Sequence, residues 1–332
     1  MAPIRIALLG AGGMAGMHAA AYAELRDVEL RAVVGRRGER AATLAARYGA
    51  LATTDADAVL ADPAVDAVDV CTPTASHAEL VERALERGKQ VLCETPLAGD
   101  AATARRLAAA GRASGRLLQV ALLSRFAQPG ARVRELAGGG TWGAPVCFTA
   151  LRLWPGPQRG APRAPDDHHG DALEELALFD LDYLAWTLGM PARLTATAPP
   201  PHGRGEVDHV LVALEYASGA TAFVEASRIL PDSFPFRIEG RMVLERGMVE
   251  WVVRFERPGP PTMRIGRHPH GGAAEISEEL EENPYLAECR HFVACVRGDG
   301  DPALLSAEAA VEGLTVVDAA RRSLAERRPV QL

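Results

Sequence analysis

Residues 4–18 read IRIALLGAGGMAGMH. The opening six are an apolar run broken by one charge, the length and composition of a strand buried on both faces. The chain then reaches a glycine cluster in which Gly10, Gly12 and Ala15 fit G-x-G-x-x-G/A. In that pattern the glycines permit a tight turn and a close backbone approach to a pyrophosphate, which rests on the N-terminus of the next helix. A glycine turn alone is a weak signal, and its context decides. A helix is expected near 14–25, and the same alternation then repeats. VELRAVVG (28–35) precedes a helix near 38–48, VDAVDVC (65–71) precedes SHAELVERALERG, KQVLCE (89–94) precedes DAATARRLAAAGRASG, and LLQVALL (117–123) closes the series. Continuous apolar strands alternating with amphipathic helices predict a doubly wound parallel sheet of the Rossmann type, a dinucleotide-binding domain over 1–122. Gly10, Gly12, Gly13, Met14 and Ala15 are its candidate cofactor residues.

The end of the second strand bears on which cofactor. NAD-binding versions of this fold usually place an acid there to hold the adenosine ribose hydroxyl. This chain has VVGRRGER, with Gly35 at the acid position and Arg36, Arg37 and Arg40 just after it. A carboxylate repels a 2′-phosphate, whereas a glycine leaves room and guanidinium groups bind it. NADP(H) is the expected cofactor, with Gly35, Arg36 and Arg37 in contact; the other reading makes the arginines a solvated helix start.

Beyond residue 122 the pattern changes. A helix near 126–137 is followed by PVCFTALRLW (145–154), a loop rich in Pro, Gly and charge (PGPQRGAPRAPDDHHG, 155–170) and a helix at about 171–188. Turn-bounded alternating segments follow: RLTATA, DHVLVALEYASG, ATAFVEASRI, RIEG, RMVLERG and MVEWVVRF. They predict an open, mostly antiparallel sheet with one exposed face, and helices at 284–297 and 306–325 complete a second α/β domain over 123–332. The whole is an α/β chain of two domains, as 332 residues suggest.

Composition excludes several classes. Hydrophobic content is 48% and charged content 24%, ordinary for a globular chain, and the net charge of −7 argues against a nucleic-acid binder. No apolar run reaches the roughly 18–20 residues of a membrane span. The N-terminal run is too short for a secretory signal and leads straight into the glycines, so a cytoplasmic location is expected. The cysteines (Cys71, Cys93, Cys147, Cys289, Cys295) are scattered without metal-ligand spacing; reduced core thiols and no metal site are expected.

Taken together, GAGGMAGMH, CTPTASHAEL (71–80), CETPLAGD (93–100), DYLAWTLG (182–189) and NPYLAECRHFVACVRGDGDP resemble the Gfo/Idh/MocA family of glucose-fructose oxidoreductase-like and inositol-dehydrogenase-like enzymes. The resemblance spans the chain. It implies a Rossmann domain plus an α/β domain for substrate binding and oligomerisation, a small-molecule substrate, and assembly as a homodimer or homotetramer. It places Thr72, Pro73, Glu94 and Thr95 beside the cofactor, with His77 either there or packing as a helix-start residue. Family catalysis usually rests on the Lys of E-K-P and on Asp and His in D-x-x-x-H. Matching the second helix backward from Asp182, Trp186 and Gly189 puts Glu175 at the Asp position and Phe179 at the His position. The Lys position holds Thr95.

All three departures fall at the chemistry. Thr95 can donate a hydrogen bond or hold a substrate oxygen, but it is no base near neutral pH. Phe179 offers an apolar surface toward substrate. Glu175 is then the strongest ionisable candidate, with Glu174, Asp171 and Asp180 as competitors. Without a neighbouring lysine, and one turn from Phe179, burial is expected to raise its pKa and suit it to donating a proton. The leading expectation is therefore NADPH-dependent reduction of an activated C=N, C=C or carbonyl group. A sugar or cyclitol dehydrogenase (or ketosugar reductase) with rebuilt acid–base residues stays open, as does an NADP(H)-binding protein without redox turnover. Arg125, Trp154, His168 and His169 are the remaining candidates for the substrate wall.

Overall fold

The computed structural model describes residues 2–138, 140, 142–156, 170–200, 207–256, 259, 261–278 and 282–332. The chain packs as two compact units: Met1–Phe126 with Glu282–Val311, and Ala127–Glu281 with Glu312–Leu332.

In the first unit β1 (Ile4–Leu9), β2 (Val28–Val34), β3 (Leu51–Thr53), β4 (Ala67–Val70), β5 (Gln90–Cys93) and β6 (Leu118–Val120) form a parallel sheet in the order β3-β2-β1-β4-β5-β6. The sequence reading passed over β3, which has only three residues, none of them buried. Helices α1 (Gly13–Ala23), α2 (Gly38–Ala46), α3 (Ala56–Ala61), α4 (His77–Glu86) and α5 (Ala101–Ser114) make the crossovers. Ile6, Leu8 and Leu9 on β1 are essentially buried, each worth about 1.5–3 kcal/mol relative to exposure. Burial on both faces is what the unbroken apolar runs demanded.

Local chemistry ends these helices. Asp55 caps α3 by accepting from the Ala58 amide (3.0 Å), and Asp100 caps α5 by accepting from the Thr103 amide (2.8 Å). Gly115 closes α5 in the left-handed conformation.

The second unit carries α6 (Gln128–Gly138), β7 (Pro145–Leu153), α7 (Leu178–Leu188), β8 (Arg193–Thr197), β9 (His209–Glu215), β10 (Thr221–Ser227), β11 (Phe236–Leu244), β12 (Gly247–Phe255), β13 (Thr262–Pro269) and β14 (Glu275–Ser277). After α8 (Pro284–Arg297), which belongs to the first unit, and α9 (Ala307–Glu326), the short β15 (Val330–Gln331) ends the chain. The sheet order is β14-β13-β12-β11-β7-β10-β9-β8-β15. Among the described residues every pairing is antiparallel except β7 with β10, so the sheet is mixed but mostly antiparallel. RIEG and RMVLERG, read as separate segments, lie mostly in the single strand β11, and β13 to β15 were not foreseen. Burial alternates along β9 and β10, giving one covered face and one open face. Phe148, Tyr183 and Trp251 meet beneath the covered face, with ring centroids 5.7–6.5 Å apart. Among the described residues no helix is long and apolar enough to cross a membrane.

Candidate active site

In the parallel sheet the register sets the motif-bearing turns at one edge. Leu9 lies opposite both Val34 and Val70, and Val70 opposite Cys93. Gly10, Gly35, Cys71 and Glu94 therefore leave the sheet at the same level, where the strand order reverses on either side of β1. That is where open α/β sheets bind ligands.

Gly10 has φ 136°, and a Cβ there would run into the carbonyl of Cys71. Glycine is obligatory on both counts. Helix α1 starts from Gly12 with no side-chain cap, unlike α3 and α5, and with no acid in its first turn. Gly12, Gly13 and Met14 are exposed and Ala15 is buried. An exposed helix N-terminus with free amides and no competing carboxylate is what a diphosphate fits. Gly35 is buried, and a Cβ on it would sit 3.1 Å from the Ala11 Cβ and 3.2 Å from the Ala41 Cβ. Packing against α2 thus favours glycine independently of any phosphate. Arg36, Arg37 and Arg40 are all exposed just beyond it.

Thr72 and Pro73 form the turn after β4; Thr72 Oγ1 accepts from the Ser76 hydroxyl at 2.8 Å. His77 is buried and spans two turns, with Nε2 2.6 Å from the Thr72 carbonyl and Nδ1 2.8 Å from the Pro96 carbonyl. It braces the turns that carry the candidate residues. Thr95 is half-buried, and its amide donates to Glu94 Oε2 at 3.2 Å.

Behind Glu94 lies a buried polar cluster that the sequence reading missed. His18, on α1, places Nε2 3.1 Å from Glu94 Oε1 and Nδ1 2.8 Å from Asp69 Oδ2. Asp69 also accepts from the Tyr22 hydroxyl (2.9 Å) and the Cys71 thiol (3.2 Å). Burial by itself would push the His18 pKa down, but the charge of Asp69 and the hydrogen bond to it outweigh that and raise it well above 6.5. Burial, reinforced by Asp69, pushes the Cys71 thiol up. Glu288 of α8 has Oε2 3.9 Å from His18 Nε2, and burial raises its pKa well above the carboxylate range. His18, Cys71 and Glu94 bring one donor atom each within 4.8 Å of one another, but the Cys71 thiol and His18 Nδ1 are spent on Asp69. The available signal was His18 itself, an ionisable residue on the apolar face of a helix reading GMHAAAYA.

In the second unit, residues Leu173–Ala177 form a π turn that runs into α7. Such widened turns concentrate at functional sites. Glu175 sits in it, so the plain α-helical i, i+4 relation to Phe179 assumed from sequence does not hold through this segment. Glu175 Oε1 accepts from the Gly170 amide at 2.7 Å, and Oε2 lies 3.9 Å from Arg228, which follows β10. Arg228 is buried and also donates to Asp208 at 2.9 Å. A cation does stand beside Glu175, then, although no lysine does.

The competing acids are engaged elsewhere. Asp171 accepts from the Glu174 amide, Glu174 faces Arg321 at 3.4 Å, and Asp180 holds Arg152 through two bonds of 2.9 Å. Arg152 also covers the Phe179 ring, 4.9 Å from its centroid, so one face of that ring meets a guanidinium. Trp154 is half-buried with its amide on the Ser227 carbonyl. Arg125 is buried and donates to the Leu304 carbonyl at 2.8 Å, a contact that anchors the 301–306 segment. His168 and His169 lie outside the described residues.

Residues 4–122 match the family model described as "Oxidoreductase family, NAD-binding Rossmann fold", and residues 131–250 match the "GFO/IDH/MocA C-terminal domain". The chain is 29% identical to inositol 2-dehydrogenase of Rhizobium meliloti (strain 1021), over 99% of both chains. It is 31% identical to inositol 2-dehydrogenase 4 of Saccharopolyspora erythraea, over 74% of this chain and 73% of that one. Among solved structures it is similar to GenD2 from gentamicin A biosynthesis in complex with NAD, with a TM-score of 0.84 and 27% identity over 100% of this chain and 97% of that one. Glycine turn, parallel sheet and mixed sheet agree with these matches, and the chain belongs to the Gfo/Idh/MocA family of nucleotide-binding oxidoreductases.

Proposed function

We propose that this chain is an NADP(H)-dependent dehydrogenase or ketoreductase that interconverts a secondary alcohol and a ketone on a polyhydroxylated substrate of the sugar or cyclitol class. The setting of Glu175 carries the reading. With the Gly170 amide on one oxygen and Arg228 near the other, Glu175 is suited to exist as a carboxylate. A carboxylate takes the hydroxyl proton of an alcohol, or returns it to a ketone oxygen in reverse. Reduction of an activated imine or alkene through a neutral Glu175 acid is disfavoured by the same two contacts. The relatives named inositol dehydrogenases point to the same substrate class.

Roles divide by unit. The first unit, with residues 1–122 as its main part, binds the dinucleotide: Gly10, Gly12, Gly13, Met14 and Ala15 take the diphosphate, and Gly35, Arg36 and Arg37 the adenosine phosphate. When bound, the nicotinamide accepts hydride from the substrate carbon or returns it. Thr95 holds a substrate oxygen by hydrogen bonding. The second unit binds substrate and presents Glu175, and its open sheet serves assembly into a homodimer or homotetramer.

The test is a fluorescence titration of purified protein with NADPH and with NADH, followed by rate measurements with inositols, aldoses and their keto forms. Micromolar NADPH binding with NADH at least about tenfold weaker is expected, the difference of roughly one charge-assisted contact. Stereospecific hydride loss from labelled NADPH to a keto substrate is expected next. Equal affinity for the two would return Arg36 and Arg37 to a solvated helix start, and binding without turnover on any of them would favour a non-redox role.

A further inference from the structure

The buried cluster behind the cofactor edge has a direction. His18 belongs to α1, the helix that begins at the glycine turn. Its Nδ1 is held by Asp69, at the centre of the sheet on β4, and its Nε2 faces Glu94. Glu94 in turn holds the Thr95 amide through its other oxygen. The distances are 2.8, 3.1 and 3.2 Å, and His18 and Asp69 are fully buried. The other groups facing the imidazole are the Cys71 thiol, the Tyr22 hydroxyl that shares Asp69, the Tyr285 ring, and Glu288 from α8.

We propose that His18 is a positioning residue: as a buried imidazolium fixed by Asp69, it anchors Glu94 and thereby sets the place of Thr95 relative to the glycine turn. The proposal rests on the reading of Thr95 as a substrate contact only for its consequence in catalysis, not for its geometry. A buried charged brace of this kind replaces water, which would reorganise, with fixed dipoles. It also gives the buried Glu94 a cationic neighbour, while burial pushes up the pKa of Glu288, the other acid facing the imidazole.

Two measurements on the full chain test it. Histidine-selective nitrogen NMR should show both ring nitrogens of His18 protonated at pH 7.5, with no stoichiometric metal in the purified protein. The double variant His18→Gln/Asp69→Asn removes the imidazolium and its counter-ion together, leaving the net buried charge unchanged. It should fold, move the Thr95 amide resonance, and lower kcat roughly tenfold to a hundredfold while the NADPH Kd stays within about threefold. Glu94→Gln, which retains the His18–Asp69 pair, should move the same amide. A neutral His18, a bound metal ion, or an unmoved Thr95 amide in both folded variants overturns the proposal. Both NMR readouts need neither cofactor nor substrate. A moved amide in a protein that binds no NADPH would retain the brace and reject the redox reading instead.

Discussion

At Glu175 the decisive fact is a neighbour 53 positions away in sequence, Arg228, at 3.9 Å. A guanidinium beside a carboxylate holds it in place as a charge-assisted partner. Removing that partner with Arg228→Met should therefore lower kcat, while Arg228→Lys, which keeps a cation, should retain more of it. Glu175→Gln should cost about 10²–10⁴ in kcat, the usual worth of a general base, with NADPH affinity unchanged. A Glu175→Gln enzyme of normal kcat would transfer the proton to another group. Nothing near Glu175 in the sequence announced Arg228, because the two meet only through the fold. His18 differs: it is legible in the sequence as an ionisable residue on an apolar helix face.

At the scale of elements, the βα units of the first half were legible because each strand is a continuous apolar run and each helix is amphipathic. Gly10 was legible too, since its φ of 136° admits little else. The π turn at Leu173–Ala177 was not, because its hydrophobic pattern reads as ordinary helix. A π turn amounts to one extra residue in an α-helix, so deleting Ala177 should close it and rotate the preceding residues by about 100° against α7. Glu175 would then leave Arg228. The expected outcome is unchanged helical circular dichroism with kcat down at least about a hundredfold; retained kcat would mean that the widened turn does not place Glu175. The same helix is tied to β7 by the buried Arg152–Asp180 pair. Arg152→Leu strands Asp180 without its counter-ion and should destabilise the fold by about 3–5 kcal/mol in urea titrations. A loss below about 1 kcal/mol would show that water reaches Asp180.

Over the whole molecule, the sequence showed where parallel strands stop and alternating strands begin, but not that α8 packs with the first unit, because its 284–297 segment looks like any amphipathic helix. That return brings Glu288 against His18, and it has a consequence for stability. The folded pKa of His18 lies above its ordinary 6.5, so its contribution is complete below that pH and is lost as pH rises through the folded value. Glu288 is raised above 4.5, so its contribution likewise falls as pH rises. Asp66 runs the other way: its hydrogen bond to Arg5 lowers it below 3.8, giving stability that is lost only in acid. The first unit should therefore be most stable in mild acid and lose up to about 1.4 kcal/mol per pH unit for each proton taken up on folding. Tryptophan fluorescence is of no use here, since Trp142, Trp154, Trp186 and Trp251 all belong to the second unit. Hydrogen exchange of β1 and β4 amides, corrected for intrinsic rates at pH 5.5 and 8.5, reports the first unit directly. Opening free energies should be lower at pH 8.5, and Glu288→Gln should shrink that difference by removing one of the two protons. A flat profile in the native protein would mean that Glu288 and His18 ionise as they do in the unfolded chain, and the buried cluster would then hold its shape by packing alone.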